Sequence, residues 1–175
     1  IRRKSPGDLI LAFKHFRDML PKDKQDSVGL LMHTQPVDNN GTDLRTVWKT
    51  LAPDCKIIFH NGHIQNNELN ALYNLADVTV NIASNEGWGL SSTESLLAGT
   101  PIINNVTGGL QDQCGFLDEN DKWIVFNDSF STNHKGRYKL NHGSWVKPVF
   151  PSNRSLQGSP ITPYIFDDRV NFEDV

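Results

Sequence analysis

Leu9, Ile10, Phe13, Phe16 and Leu20 recur at helical spacing between Ser5-Pro6-Gly7-Asp8 and Pro21. One apolar stripe of this kind predicts a helix, with Ser5 as N-cap, Pro6 in the first turn and Asp8 completing a capping box. Val28 to His33 is a short apolar run suited to a strand buried on both faces. Thr42 is placed to cap a second helix carrying Leu44, Val47, Trp48 and Leu51, and Lys56 to His60 supplies the next strand. Asn66 or Asn67 heads a third helix through Leu69, Leu72, Tyr73 and Ala76, followed by a β-branched strand from Val78 to Ile82. Ser91 to Ala98 reads as a further helix, Gly99 fits the left-handed position after it, and Pro101 to Asn104 resumes an extended segment. Strands alternating with helices predict an α/β fold, a Rossmann-like parallel sheet with helices on both faces.

Beyond Gly109 the pattern changes. Asn, Asp, Ser, Gly and Pro become frequent, and helical periodicity fades from Asp118 to Val175. An irregular, loop-rich tail wrapping the sheet is expected, with a hairpin near Trp123 to Phe126. The organisation expected is a core over residues 1–116 and an extension of the same domain over 117–175.

Composition narrows the class of protein. A chain of 175 residues with 37% hydrophobic and 21% charged residues is of single-domain size and globular composition. No apolar run approaches the roughly 18 residues of a membrane-spanning helix, so no transmembrane segment is expected. Seventeen basic against twenty acidic residues, net −3, give no electrostatic case for nucleic-acid binding. Cys55 and Cys114 lack zinc or redox spacing and are read as reduced and structural. The chain opens on Ile-Arg-Arg-Lys without an initiator Met or signal peptide, as a piece of something larger would, and a cytoplasmic location is expected.

The chemistry concentrates in Asn85-Glu86-Gly87-Trp88-Gly89-Leu90-Ser91-Ser92-Thr93-Glu94, between a strand and a helix. Ligands of open α/β sheets bind outside the carboxyl ends of the strands, where this loop falls. Gly87 and Gly89 permit close backbone approach, and the amides near Leu90 and Ser91 would point from a helix N-terminus that favours phosphate. Glu86 in the loop and Glu94 inside the helix are read as holding opposite ends of an extended ligand. Each carboxylate can accept two hydrogen bonds from vicinal hydroxyls of a ribose or hexose. Trp88 either stacks on a ligand or plugs the loop.

That stretch, continuing Ser95-Leu96-Leu97-Ala98-Gly99-Thr100-Pro101, with Leu72-Tyr73-Asn74-Leu75-Ala76-Asp77-Val78 before it and Gly108-Gly109 after it, resembles the signature of the group 1 retaining glycosyltransferases with two Rossmann-like domains. The resemblance covers residues 1–116. The tail, with Gly143 to Val149 and Thr162 to Arg169, resembles an insertion seen in a subset of such enzymes. It implies a C-terminal, donor-binding domain that takes a nucleotide diphosphate sugar as substrate, with no cofactor and no metal required. By the same resemblance Glu86 is the catalytic position and contacts donor-sugar hydroxyls, and Glu94 holds the ribose. Backbone amides of Gly87, Trp88 and Gly89 face the sugar, as do those of Gly108 and Gly109, while Leu90 and Ser91 face the diphosphate. Lys4 matches the lysine that neutralises phosphate, with Arg3 as substitute for an arginine expected upstream, and Ile64 matches the backbone that meets the nucleobase. The N-terminal acceptor-binding domain has no counterpart here, so this fragment alone is expected to be inactive.

Other readings of the same architecture are a nucleotide-sugar epimerase, a sugar phosphorylase, or a non-catalytic nucleotide-sugar-binding module. No Gly-x-x-x-x-Gly-Lys loop and no Gly-x-Ser-x-Gly elbow occurs. His60 and His63 are weak metal candidates, better read as structural or exposed. Asp118, Glu119 and Asp121, and likewise Asp167 and Asp168, match no calcium loop and are expected as exposed acidic turns. Glycosylation sequons at Asn40, Asn105, Asn127 and Asn153 are attributed to chance in an Asn-rich chain.

Overall fold

The alternation of strands and helices is present in the computed structural model, which describes residues 2–124, 141–162 and 164–175. By contacts the chain divides into two compact units, Ile1–Ile64 with Phe172–Val175, and Gln65–Asn171. In the first unit, helix α1 (Pro6–Met19) is followed by strand β1 (Leu30–His33), helix α2 (Leu44–Leu51) and strand β2 (Ile57–His60). β1 and β2 pair in parallel, with Leu30 opposite Ile57 and His33 opposite His60. Ile10, Met32, Leu44, Ala52, Cys55 and Ile57 form the core, with Phe13, Trp48 and Phe59 packed around it.

Helix starts depart from the expected caps by small steps. Ser5 precedes α1 in the left-handed region and makes no side-chain cap bond. Asp43, rather than Thr42, caps α2 by accepting from the amides of Arg45 and Thr46. One carboxylate oxygen accepts from both amides, and these bonds, chiefly that from Thr46, hold the Asp43 carboxyl below the usual range.

The second unit begins with helix α3 (Asn66–Leu75), capped by Gln65 in a reciprocal box with Glu68. Strand β3 (Thr79–Asn81), helix α4 (Leu90–Leu97), strand β4 (Ile102–Asn105) and the short helix α5 (Gly109–Asp112) follow. Gly99 adopts φ +86° after α4, as its position predicts. The tail holds more regular structure than its polarity suggests: β5 (Val146–Val149), β6 (Asn153–Gln157) and β7 (Ile165–Arg169). β5 joins β3 and β4 in an all-parallel sheet of order β3-β4-β5, and β6 and β7 form an antiparallel pair. Leu117 and Trp123 make an antiparallel bridge where a hairpin was expected. Val125, Phe126 and the Asn127 sequon lie outside the described residues.

Parallel pairing of β3 with β4 is what positions the candidate site. Their carboxyl ends lie side by side, so the loop after Asn81 and the loop after Asn105 must leave the sheet together. Beneath them sit Ile102, Val106, Cys114, Phe116 and Val146, with Leu96, Ile124 and Phe150 packed around. Phe116 is fully enclosed and meets Phe150 at 6.1 Å between ring centroids. Phe116→Ala is therefore expected to destabilise the chain by about 3–5 kcal/mol, read as a lower urea midpoint at unchanged slope.

Candidate functional site

Two loops of the second unit interlock through backbone rather than through side chains. The Gly109 amide donates to Glu86 O at 3.0 Å. A Cβ on Gly108 would lie 2.2 Å from Glu86 O, and one on Gly109 would lie 2.2 Å from Gly87 O and 2.6 Å from Trp88 Cα. Gly108 also adopts φ +49°. Only glycine permits this approach at either position. Gly89, with φ +90°, is the N-cap of α4 and closes on the Leu110 side chain. Gly87 differs: nothing lies within 4 Å of a Cβ placed there, so that face of the loop is open.

A buried polar chain supports the interlock from below. Asn81 Nδ2 donates to Ser91 Oγ and Ser92 Oγ, Ser92 Oγ donates to Asn104 Oδ1, and Asn104 Nδ2 donates to Leu110 O. Gln113 Nε2 donates to the carbonyls of both Trp88 and Gly89. Trp145 Nε1 donates in turn to Gln113 O at 3.0 Å. Asn81, Ser92, Asn104 and Gln113 are themselves buried, so leaving these bonds unmade is costly and the network favours one loop geometry.

The predicted ligand-facing groups occupy distinct places. The amides of Ser92 and Thr93 donate to Gly89 O, which leaves those of Leu90 and Ser91 ahead of the helical ladder at the N-terminus of α4. Glu94 lies on the next turn, half-buried, and accepts from Tyr73 Oη at 2.9 Å. Burial and this carboxylate raise the Tyr73 phenol well above its ordinary value, so it stays a donor. Trp88 is 47% exposed, its indole donating to Thr93 Oγ1 at 2.8 Å, which fixes the ring against α4 while leaving a face to solvent. Arg3, Lys4 and Ile64 belong to the first unit, the first two on a 3₁₀ turn (Arg2–Lys4). Among the expected residues the structure thus brings together Glu86, Gly87, Trp88, Gly108 and Gly109.

Also in the first unit, the carboxyl ends of β1 and β2 open a cavity of about 320 Å³ lined by His33, Thr34, Gln35, His60, Asn61, Gly62 and His63. His33 Nδ1 and His60 Nδ1 lie 2.9 Å apart, so one ring donates and the other accepts. His60 is therefore half-buried and paired with His33, whereas His63 is exposed. Among the described residues no group of three or more His, Cys, Asp or Glu gathers as a metal site, and no helix is long and apolar enough to cross a membrane.

Asp167 and Asp168 correct the expectation of exposed acidic turns: they are 6% and 1% exposed. Asp168 N donates to Ser84 O at 2.8 Å, so β7 is drawn against the start of the Glu86 loop. Burial pushes the Asp167 carboxyl up, but hydrogen bonds from Ser84 and Arg169 and the Arg169 charge outweigh it and hold it below the usual range. Sequence reasoning missed these residues, together with Asn81, Asn105, Thr107 and Gln113. No local signal marked them, because Ser84, Thr107 and Arg154 reach them only in the folded unit. Asp118, by contrast, forms the expected turn, accepting from the Asn120 and Lys122 amides.

A family model described as group 1 glycosyl transferases matches residues 2–129. A trehalose synthase of Pyrococcus horikoshii is 24% identical over 137 residues, covering 77% of this chain and 32% of that protein. The chain thus spans about a third of the length of the curated relative it matches. Among solved structures, an α,α-trehalose-phosphate synthase (UDP-forming) from Burkholderia xenovorans, in complex with glucose-6-phosphate, is 16% identical with a TM-score of 0.47, over 63% of this chain and 29% of that one. Anabaena HepE in complex with UDP and glucose is 17% identical with a TM-score of 0.44, over 62% and 28%.

Gly109→Ala is expected to cost about 1–3 kcal/mol by overpacking the interlock, whereas Gly87→Ala leaves thermal unfolding unchanged. Equal melting temperatures for the two variants would contradict the interlock. A second expectation concerns acid. Because the folded Asp167 carboxyl titrates below its unfolded value of about 3.8, its stabilisation is present above that pH and is lost as pH falls through the folded value. Near-ultraviolet circular dichroism of Asp167→Asn should show a shallower loss of signal below about pH 4 than the parent chain.

Proposed function

This chain belongs to the group 1 glycosyltransferase family, and from that premise we propose that it carries the donor-binding part of a retaining, metal-independent enzyme using a nucleotide diphosphate sugar. One observation carries the reading: the Glu86 loop, interlocked with Gly108 and Gly109, runs straight into the N-terminus of α4, with Glu94 one turn further on. In this reading Glu86 is the catalytic position, accepting from sugar hydroxyls beside the reacting carbon. The open face at Gly87 and the amides of Trp88 and Gly89 bear on the sugar, and Gly108 and Gly109 flank it. Leu90 and Ser91 amides meet the diphosphate, and Glu94, kept in place by Tyr73, holds the ribose. Lys4, with Arg3, offsets phosphate charge, and the Ile64 backbone meets the base.

Transfer requires the bond from the anomeric carbon to the diphosphate oxygen to break while the acceptor hydroxyl oxygen forms the new one, its proton passing to the departing diphosphate. The leaving diphosphate gathers negative charge, which fixed amides and a lysine stabilise without reorganising. Likeness to a trehalose synthase supports a hexose as the transferred sugar. The acceptor is assigned to a further, N-terminal domain of the whole protein, and this chain alone is expected to transfer no sugar.

Calorimetric titration with UDP, GDP and ADP, with and without magnesium, and with the corresponding glucose donors tests this. One base should be preferred, in the absence of metal. Loss of a charged hydrogen bond corresponds to roughly a 10- to 100-fold weakening. Glu94→Ala should show it for nucleotide and donor alike, and Glu86→Ala only for the intact donor. Unaltered donor affinity in both variants would overturn the reading.

A further inference from the structure

The hairpin β6–β7 lies beyond the residues that the family match covers, yet it reaches both loops of the candidate site through one residue. Asp168 N donates to Ser84 O at 2.8 Å. Asp168 O accepts from Asn105 Nδ2 at 2.8 Å, and the same amide donates to Ala83 O at 2.9 Å. Asp168 Oδ2 accepts from Thr107 Oγ1 at 2.8 Å. Ser84 stands two residues before Glu86, and Thr107 stands immediately before Gly108. A single buried aspartate therefore ties the root of the Glu86 loop to the root of the glycine pair that interlocks with it.

Its charge is compensated from its own hairpin. Arg154 lies directly opposite Asp168 in the register, with Nε 3.1 Å from Oδ1. The Arg154 guanidinium also stacks over the Phe166 ring at 3.9 Å, which fixes its direction. Asp167 adds a second attachment by accepting from the side chains of Ser84 and Asn85 as well as from Arg169. A carboxylate this enclosed is costly unless paired and fully hydrogen-bonded, and an apolar side chain would fill the same space without that cost. Of the three bonds from residue 168 to the two loops, those to Ser84 and Asn105 use its backbone and would survive an apolar replacement; what the apolar residue would lack is the directed bond from Thr107 to the carboxylate, together with the Arg154 ion pair.

We propose that Asp168 is a positioning residue for the sugar-facing wall of the donor site, and that the β6–β7 hairpin is a working part of that site. The inference rests on the assignment of Glu86 to the donor sugar. By setting the spacing between residues 84–86 and 107–109, Asp168 aligns the Glu86 carboxylate and the Gly87 to Gly89 amides without touching substrate. Glu94, carried on α4 and held by Tyr73, is outside its direct reach. Sugar recognition should consequently depend on Asp168 far more than nucleotide recognition does.

The test compares the parent chain with Asp168→Ala and Asp168→Asn, the latter keeping the side-chain shape and one acceptor oxygen. Hydrogen exchange of the amides of residues 84–89 and 107–110 is measured first, alongside thermal unfolding. Affinities follow for UDP, GDP and ADP and for their glucose conjugates. Loss of the donor contacts that the displaced loop makes should weaken the preferred donor about tenfold or more in Asp168→Ala, while changing the bare nucleotide less than about twofold. Exchange at Gly87, Gly89 and Gly109 should accelerate, and Asp168→Asn should recover part of both effects. Unchanged exchange in these loops overturns the tie. Equal weakening of donor and nucleotide overturns the positioning role and leaves Asp168 as general scaffold. If Asp168→Ala does not fold, the Asp168→Asn comparison decides. A parent chain that binds no glucose donor refutes the donor assignment, and with it the sugar-positioning role, whatever the exchange shows of the tie.

Discussion

The second unit depends on backbone atoms of two loops passing at a distance that no side chain allows. Glu86 O, Gly87 O and Trp88 Cα occupy the space that the Cβ atoms of residues 108 and 109 would fill, and one hydrogen bond, from the Gly109 amide to Glu86 O, closes the contact. Parallel pairing of β3 and β4 delivers the two loops to the same edge of the sheet, but pairing alone leaves them free to splay. The glycine contact removes that freedom. Gly89 then turns the chain into α4 in a conformation that costs a glycine little, so the loop and the helix N-terminus become one rigid piece.

Support from below is polar where a plain core would be apolar. Hydrophobic packing excludes water beneath the sheet through Ile102, Val106 and Phe116, yet it is non-directional and tolerates sliding. Asn81, Ser92, Asn104 and Gln113 are buried or nearly so, and their bonds run across β3, α4, β4 and the segment after α5. Such bonds contribute little net stability each, but leaving any one unmade is costly, so slipped arrangements are penalised strongly. The division of labour is consistent: apolar residues hold the unit together and buried amides and hydroxyls choose the loop geometry.

What could be read from the sequence was whatever is encoded locally. Glycines at 87, 89, 108 and 109, helical periodicity through Leu96 and the β-branched run at Val78 each announce their own conformation, and the Glu86 to Glu94 stretch was legible for that reason. Thr42 and Asp43 are both good caps, and only the register of Leu44 against the core decides between them. The tail was opaque. Pro148 argues against a strand, yet β5 is the outer strand of its sheet in the described order, where one missing donor is tolerated. Asp167 and Asp168 carry no local sign of burial; their environment is created by Ser84, Thr107 and Arg154, which the chain brings to them from distant positions.

That distance has a consequence for how the site forms. β3, α4 and β4 are close in sequence and can assemble early, whereas the contacts of Asp168 with Ser84 and Thr107 close long loops and become favourable only once both partners are in place. The Glu86 loop therefore has two levels of order: a local one, imposed by its glycines and by α4, and a late one, imposed by the hairpin. A local element alone positions the helix amides and Glu94. Only the complete unit, with β7 against Ser84, adds the hydrogen bonds that anchor the roots of the two loops, and these are its contacts of greatest sequence separation.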